Sequence, residues 1–130
     1  MPNLLEAKIN PSRQAAGEAR RLVAQLKTKG IARVLDDLAL LVSELVTNSY
    51  RYGGINKGDS ISLSVSQKGK TIHVEIEDPG QGTTVPAPRR PTADGGWGLE
   101  IVRKTADRWG VRKTRGRTVV WFDLDVDAKR

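Results

Sequence analysis

Two adjacent stretches of strict alternation constrain the fold of this chain more than any other feature. Apolar residues alternate with serines over residues 60–66, and Ile72, Val74 and Ile76 alternate with polar residues over 71–77. Because successive side chains of a strand point to opposite faces, each stretch is predicted to be a β-strand with one buried face. A tight turn at Lys68-Gly69 predicts that the two strands form a hairpin.

The same alternation singles out Asp78. It falls on the face of Ile72, Val74 and Ile76, where a carboxylate is costly to bury unless it is paired or hydrogen-bonded. The alternative is a strand that ends one residue earlier, with Asp78 as a turn residue; the pattern alone leaves both open. His73 has the opposite parity and is predicted to be exposed or covered by a helix, not a catalyst or ligand.

Apolar residues at three- and four-residue spacing predict a helix over residues 33–52. Glu44, Asn48 and Arg51 form a separate polar stripe at the edge of its apolar face. From this helix alone, the favoured interpretation is that these three residues are ordinary polar residues of a helix surface and not part of a functional site. The apolar face consists of Leu35, Leu38, Val42, Leu45, Ser49 and Tyr52.

The other elements follow from punctuation by proline and glycine. Residues 4–9 are predicted to be an edge strand, after which Asn10 caps a helix with Pro11 at its first position. Gly30 is predicted to end that helix. Its apolar stripe consists of Ala15, Ala19, Leu22, Val23 and Leu26.

The last part of the chain is predicted to hold a helix that begins at Gly98 and a hairpin that turns at Arg115-Gly116. Thr118 is a polar residue at one end of the inward face of the final strand. Threonine is also common in strands, so Thr118 could simply be the residue that starts this one. The tail, residues 125–130, is predicted to be frayed. The helix buries Leu99, Val102, Ala106 and Trp109, and the final strand buries Thr118, Val120, Phe122 and Leu124.

The order strand, helix, helix, hairpin, loop, helix, hairpin predicts an α+β sandwich with helices on one face of a mostly antiparallel sheet. No repeat or linker divides residues 1–130, which are predicted to form a single domain. The absence of cysteine excludes disulfides and thiolate chemistry. No apolar run approaches the roughly 20 residues of a membrane span, and no signal pattern is present, so a cytoplasmic location without membrane contact is expected.

The net charge of +7 predicts a polyanionic partner: nucleic acid, nucleotide or an acidic protein. The cations are scattered and aromatic residues make up 5%, which leaves a nucleic-acid-binding protein as a remote alternative. Residues 79–98 lack periodicity and carry Gly-x-Gly at both ends. Glycines let backbone approach a ligand, and a glycine turn before a helix is an anion site.

Four motifs in this order resemble the GHKL superfamily of ATP-binding domains, and within it the small bacterial anti-sigma-factor serine/threonine kinases. They are Glu44-Leu45-Val46-Thr47-Asn48, Asp78-Pro79-Gly80-Gln81-Gly82, Gly96-Trp97-Gly98-Leu99, and Thr118. The resemblance implies the histidine-kinase-like ATPase fold, a two-layer sandwich whose mostly antiparallel mixed sheet is covered on one face by three helices.

The resemblance also implies the roles of single residues. Asn48 would hold Mg²⁺, Asp78 would accept the adenine amino proton and Thr118 would hydrogen-bond in the same pocket. Glu44 would be the general base, and Arg51 would neutralise phosphate charge. Residues 83–94, with Arg89 and Arg90, would form the lid. The nucleotide backbone contacts would come from Gly80, Gly82, Gly96, Gly98 and Leu99.

The activity that this resemblance implies is phosphorylation of a serine on an anti-sigma antagonist, with ATP and Mg²⁺, combined with sequestration of a sigma factor. A homodimer is left open. The alternative is a catalytically silent, nucleotide-gated protein-binding module in bacterial signalling. The acceptor histidine and dimerisation helices of a sensor kinase are absent from the sequence, as is a transducer domain.

Overall fold

A five-stranded sheet forms one layer of this computed structural model, which describes residues 3–28, 30–52, 58–79 and 98–128. The strands lie in the order β1-β2-β3-β5-β4, and every described pair is antiparallel, whereas the resemblance allowed a mixed sheet. The strands are β1 (Asn3–Ile9), β2 (Ile61–Lys68), β3 (Thr71–Asp78), β4 (Arg108–Thr114) and β5 (Arg117–Asp125).

Three helices form the second layer: α1 (Ala15–Ala24), α2 (Leu35–Tyr52) and α3 (Gly98–Thr105), with a short 3₁₀ helix (Ile31–Arg33) before α2. The longest, α2, packs against α1, α3 and β3. The apolar sides of both layers meet in one core. The predicted α+β sandwich is therefore confirmed, and the other face of the sheet carries polar side chains.

The alternation of β2 and β3 appears directly in their burial. Ile72, Val74 and Ile76 are each at most 1% exposed, and the residues between them are half-buried. The hairpin turn is displaced by one residue from its prediction. Lys68 still pairs with Thr71, and Gly69, with φ 57°, is the first residue of the turn. A positive φ at the first turn position suits a two-residue hairpin of the type II′ class.

The predicted boundaries of α1 are wrong at both ends. The helix begins at Ala15 instead of at Asn10-Pro11, because Ser12 Oγ accepts a hydrogen bond from the backbone N–H of Gln14 at 3.1 Å and holds a preceding turn. It ends at Ala24 instead of near Gly30. Gly30 has the expected left-handed φ of 81° but precedes the 3₁₀ helix.

Two predictions near the end of the chain also need correction. α3 ends at Thr105, and Trp109 belongs to β4, where it pairs with Phe122, because cross-strand pairing competes with continuation of the helix. The tail is anchored as far as Val126, which is 6% exposed and whose N–H donates to the Lys70 carbonyl at 2.8 Å. Across residues 3–28, 30–52, 58–79 and 98–128, no helix is long and apolar enough to cross a membrane.

Candidate functional site

Asp78 and Thr118 lie directly opposite each other on the neighbouring antiparallel strands β3 and β5. Each residue is 1% exposed, and both occupy the helix-covered face of the sheet. The strand continues through Asp78, so the alternative of an earlier strand end is excluded. Directly opposed residues have Cβ atoms roughly 4.5–5.5 Å apart, so the carboxylate and the hydroxyl are neighbours.

The hydroxyl of Thr118 has an unusual environment. Its Oγ1 atom is buried, and no described residue forms a hydrogen bond with it. A buried polar atom without a partner costs about 1–3 kcal/mol, and such atoms in folded proteins call for an explanation. A ligand that supplies the missing hydrogen bond is one explanation, and it fits a neighbouring carboxylate that recognises a polar edge.

Helix α2 contributes further polar residues to the candidate site, beside the Asp78–Thr118 pair. Glu44 and Asn48 lie one helical turn apart and are half-buried, so they border the core as their spacing predicted. This helix packs against both β3 and α3. Glu44 and Asn48 therefore lie on the helix that contacts both the strand ending at Asp78 and the helix beginning at Gly98.

The start of α3 is the third part of the predicted site, after the strand pair and α2. Gly98 is the first residue of this eight-residue helix, and Leu99 lies in its first turn. The remaining predicted positions Gly80, Gly82 and Gly96 lie outside the described residues, as do residues 83–94 with Arg89 and Arg90.

Arg51 occupies a different position from the rest of the polar stripe. It is exposed and lines a cleft of about 240 Å³ between the end of α2 and the start of α1, together with Arg13 and Thr47. The Glu44 and Asn48 side chains do not line this cleft. The helix turns by about 100° per residue, which separates Arg51 from Asn48 enough for it to serve the neighbouring surface.

Sequence reasoning missed one neighbour of the pair. Lys113 on β4 lies opposite Thr118 in the β4–β5 register, so Lys113, Thr118 and Asp78 form one row across three strands. The signal was present in the hairpin turn at Arg115-Gly116, since counting back from a two-residue turn pairs position 113 with position 118. Lys113 is exposed at the sheet edge.

The face of the sheet opposite the helices carries a network of ion pairs around His73. His73 was predicted to be exposed or covered by a helix, but it is half-buried within this network. His73 Nδ1 lies 2.7 Å from Asp123 Oδ1, and its Nε2 lies 2.8 Å from Glu75 Oε2. Neutral imidazole has one N–H, so two carboxylate contacts favour the doubly protonated ring. Burial lowers the pKa of His73, but hydrogen bonds and charges of Glu75 and Asp123 outweigh it, and the pKa is raised overall.

Glu75 shows the reciprocal effect. Burial raises its pKa, but hydrogen bonds from His73 and Arg112 outweigh burial and lower the pKa overall. Arg108 and Arg112 pair with carboxylates of this face, and the Trp121 ring lies against His73 with centroids 5.7 Å apart. This face is therefore neutralised by its own side chains and stands apart from the Asp78–Thr118 pair.

The residues present fit a nucleotide and its metal ion. A buried carboxylate beside an unsatisfied hydroxyl suits the polar edge of a base, and the amide oxygen of Asn48 is a ligand type that Mg²⁺ accepts. Among the described residues, no group of three or more His, Cys, Asp or Glu side chains could hold a metal ion. Mg²⁺ bound with phosphates needs one or two protein oxygens, so such a group is not required.

An antiparallel sheet covered on one face by three helices, with a buried carboxylate–hydroxyl pair on the covered face, forms a two-layer α+β sandwich. Residues 7–124 match the family described as histidine kinase-like ATPase domain, and the chain belongs to that family.

A solved structure has the same fold. The chain is similar to the crystal structure of the RsbU and RsbW domains of Rv1364c from Mycobacterium tuberculosis, with a TM-score of 0.71 and 17% sequence identity. The match covers 96% of this chain and 32% of that one, so the chain spans about a third of its length. No curated protein sequence matches the chain. The family match over residues 7–124 confirms the predicted superfamily.

Proposed function

We propose that this chain is an ATP-dependent serine/threonine kinase that acts as an anti-sigma factor. It would phosphorylate a serine of an anti-sigma antagonist and sequester a sigma factor. The observation that carries the nucleotide half is the buried Asp78–Thr118 pair with its unsatisfied hydroxyl. Membership of the ATPase family supports ATP as the nucleotide, and the motif resemblance to the anti-sigma-factor serine/threonine kinases supports the kinase assignment.

The two strand residues recognise the base in this proposal. The carboxylate of Asp78 accepts a hydrogen bond from the adenine amino group, and the hydroxyl of Thr118 forms its missing hydrogen bond in the same pocket. Because both side chains are 1% exposed, these contacts lie where water competes little, which strengthens them. A base with a carbonyl at that position would face the carboxylate with an acceptor, so adenine is preferred over guanine.

The phosphates are held from the helical side. Asn48 would supply one oxygen ligand to Mg²⁺, and the bound ion would neutralise phosphate charge and polarise the transferred group. The backbone N–H groups at Gly98 and Leu99 face the phosphates at the start of α3. Gly80, Gly82 and Gly96 would let the loop backbone approach the nucleotide, and residues 83–94 would form the lid over it; all of these positions lie outside the described residues.

Glu44 is the proposed general base. Its carboxylate takes the proton of the substrate serine as the serine oxygen forms a bond to the γ-phosphorus. The bond between that phosphorus and the bridging oxygen breaks, and its electron pair leaves with ADP. Phosphoryl transfer depends mainly on positioning and charge stabilisation, so one correctly placed carboxylate on a rigid helix is sufficient. The one-turn spacing from Asn48 keeps both side chains on the same side of α2.

The test is transfer of labelled γ-phosphate to a serine of a candidate antagonist. Glu44→Gln should lower transfer by about 10²–10⁴-fold and leave Mg·ATP affinity unchanged, since a positioned base contributes about that much. Asp36→Asn is the matched control, because it removes an exposed carboxylate from the first turn of the same helix.

The outcome separates the two halves of the proposal. Tight Mg·ATP binding without transfer by the wild-type protein would contradict the kinase half and leave the nucleotide-gated binding module. That module requires a partner affinity that changes with nucleotide. Failure to bind Mg·ATP at all would contradict both.

A further inference from the structure

The outer surface of the helical layer contains the cleft that Arg51 lines. It lies where the start of α1 meets the second half of α2, and its volume is about 240 Å³. This is room for one or two side chains of another molecule. Glu44, Asn48, Asp78 and Thr118 do not line it. The lining includes Ser12, Arg13, Ala16, Thr47, Tyr50 and Arg51.

The cleft presents positive charge that no ion pair with a described residue neutralises. Arg13 and Arg51 are exposed, and neither forms an ion pair with a residue in the described parts of the chain. On the uncovered face of the sheet, by contrast, Arg108, Arg112 and Arg117 are each paired with a carboxylate. The two guanidinium groups of the cleft are therefore available to an acidic ligand.

Apolar surface accompanies this charge. Leu40 and Tyr50 are the large hydrophobic side chains that stand out as exposed among the described residues, at 42% and 40%. Both belong to α2, and helical spacing places Leu40 and Thr47 on nearly the same line along the outer surface, with Tyr50 beside them. Ser43 lies between them in helical spacing but is itself buried, and its hydroxyl donates to the Leu40 carbonyl at 3.0 Å. Tyr50 lines the cleft, and Leu40 lies further along the same helix.

We propose that this cleft docks an acidic amphipathic helix of a partner protein. Carboxylates of the partner enter between Arg13 and Arg51, and its apolar residues pack on Tyr50 and Leu40. A helix laid along a groove with apolar anchors at three- and four-residue spacing is a recurrent mode of recognition, and the charge fixes which helix is accepted. This inference names the contact surface for the partner half of the proposed function; it requires neither phosphotransfer nor bound nucleotide.

A nucleic acid is a poorer occupant. Affinity for a phosphate backbone grows with the number of phosphates that are neutralised, and single strands also require aromatic stacking platforms. The cleft offers two arginines and one tyrosine in a short space. It therefore fits a compact acidic segment better than a polyanionic chain.

The experiment selects ligands without assuming the partner. A display library of helix-biased peptides of about 18 residues, roughly five turns, is panned on the wild-type protein. Affinities of the enriched peptides are then measured for wild type, Arg13→Glu, Tyr50→Ala and Lys8→Glu. Lys8 is exposed on β1 in the sheet layer, so Lys8→Glu makes the same charge change away from the cleft.

Enriched peptides are expected to carry Asp or Glu beside apolar residues on one helical face. Arg13→Glu should weaken their binding by about tenfold or more, and Tyr50→Ala should also weaken it, because a charge pair and an aromatic anchor are lost. Lys8→Glu should change affinity by less than about twofold, the size of a remote, screened charge. Circular dichroism and Mg·ATP affinity of all variants should stay at the wild-type values, which keeps this inference separable from the nucleotide proposal.

Several results would overturn the inference: a selection without enrichment, enriched peptides without acidic residues, or affinities unaffected by Arg13→Glu. Equal losses in Arg13→Glu and Lys8→Glu would show a general charge effect instead of a docking site. Competition by a short DNA duplex at about 150 mM salt would assign the cleft to nucleic acid.

Discussion

Thr118 faces Asp78 across the β3–β5 ladder, and its buried Oγ1 atom has no hydrogen-bond partner among the described residues. The unsatisfied hydroxyl beside this buried carboxylate is a free-energy cost to the protein without ligand. That cost is recovered only when a third group completes the hydrogen bonding. The relationship gives predictions in which stability and binding change in opposite directions.

Thr118→Val should leave the ligand-free protein equally stable or more stable by up to about 1 kcal/mol, because it replaces an unsatisfied hydroxyl with a methyl group of similar shape. The same variant should bind ATP about tenfold more weakly, since it lacks the hydroxyl. Urea unfolding and calorimetry measure the two effects. Thr71→Val is the control: its hydroxyl donates to Asp125 at 2.7 Å, so this variant should be less stable than wild type. A destabilised Thr118→Val would show that the hydroxyl has a structural partner.

Asp78→Asn should weaken ATP binding by more than about tenfold and narrow the preference for ATP over GTP, because an amide no longer presents two acceptor oxygens to the base. The fold should persist, with an unchanged circular dichroism spectrum. Competition binding with ATP and GTP provides the measurement. If Asp78→Asn unfolds the protein, the carboxylate is structural.

Asn48→Ala should abolish the effect of Mg²⁺ on nucleotide affinity, because it removes the proposed protein oxygen. Titrations of ATP with Mg²⁺ and with a chelator should give the same affinity in the variant and different affinities in wild type. Thr47→Ala, one position earlier on α2 and in the neighbouring cleft, should keep the difference. A persistent Mg²⁺ effect in Asn48→Ala would place the metal ion elsewhere.

His73 should make the free energy of unfolding depend on pH above about 6.5. Its pKa is raised in the folded protein, so the stabilisation is fully present below the unfolded value of about 6.5 and is lost as pH rises through the folded pKa. Glu75 acts oppositely: its pKa is lowered, and its contribution is lost as pH falls through the folded value. Urea unfolding from pH 5 to pH 9 should show this loss in wild type and a flatter profile in His73→Gln. Since the sequence has one histidine, NMR titration of its ring gives the folded pKa directly. A ring pKa at or below the ordinary value would contradict the ion-pair assignment.

Two glycine substitutions should have opposite effects on stability. In Gly110→Ala the new Cβ would lie 2.8 Å from Trp121 Nε1, so the indole must move, and the cost should be about 1–3 kcal/mol. In Gly17→Ala the nearest atoms are ends of flexible arginine side chains at 3.6 Å and beyond, within the α1 helix. That variant should gain about 0.5–1 kcal/mol from helix propensity. Thermal unfolding of both proteins distinguishes the signs, and a tolerated Gly110→Ala would show that Trp121 is free to reorient.

Local pattern predicted those features that depend on strict periodicity. The two-residue repeat gave Asp78 the parity of the buried face, and the structure settled that β3 extends to it. Helical spacing placed Glu44 and Asn48 together at the edge of the apolar face of α2. The ends of α1 and α3 did not follow, because they depend on competing contacts. A turn held by the Ser12 hydroxyl precedes α1 and delays its start, and pairing of Trp109 with Phe122 ends α3 early.

Contacts between distant parts of the chain were also beyond local reasoning. Val126 is buried against Gly30, a contact that no local pattern indicates. Helical spacing places Arg51 near Asn48 on α2, but packing of the start of α1 forms a separate cleft that Arg51 lines and Asn48 does not. The His73 network joins residues from three strands, and its charges could be paired only after the strand order was known.

The register of β5 against β3 decides which side chain lies beside the carboxylate of Asp78. In the observed register Thr118 is opposite Asp78, and the two-residue turn at Arg115 and Gly116, with φ of 49° and 77°, joins β5 to β4. Since side chains alternate along a strand, a shift of β5 by one residue against β3 would turn the Thr118 hydroxyl to the uncovered face and place a neighbouring residue opposite Asp78. The same shift would also turn Val120, Phe122 and Leu124 out of the core. The packing of these apolar side chains therefore keeps the hydroxyl beside the carboxylate.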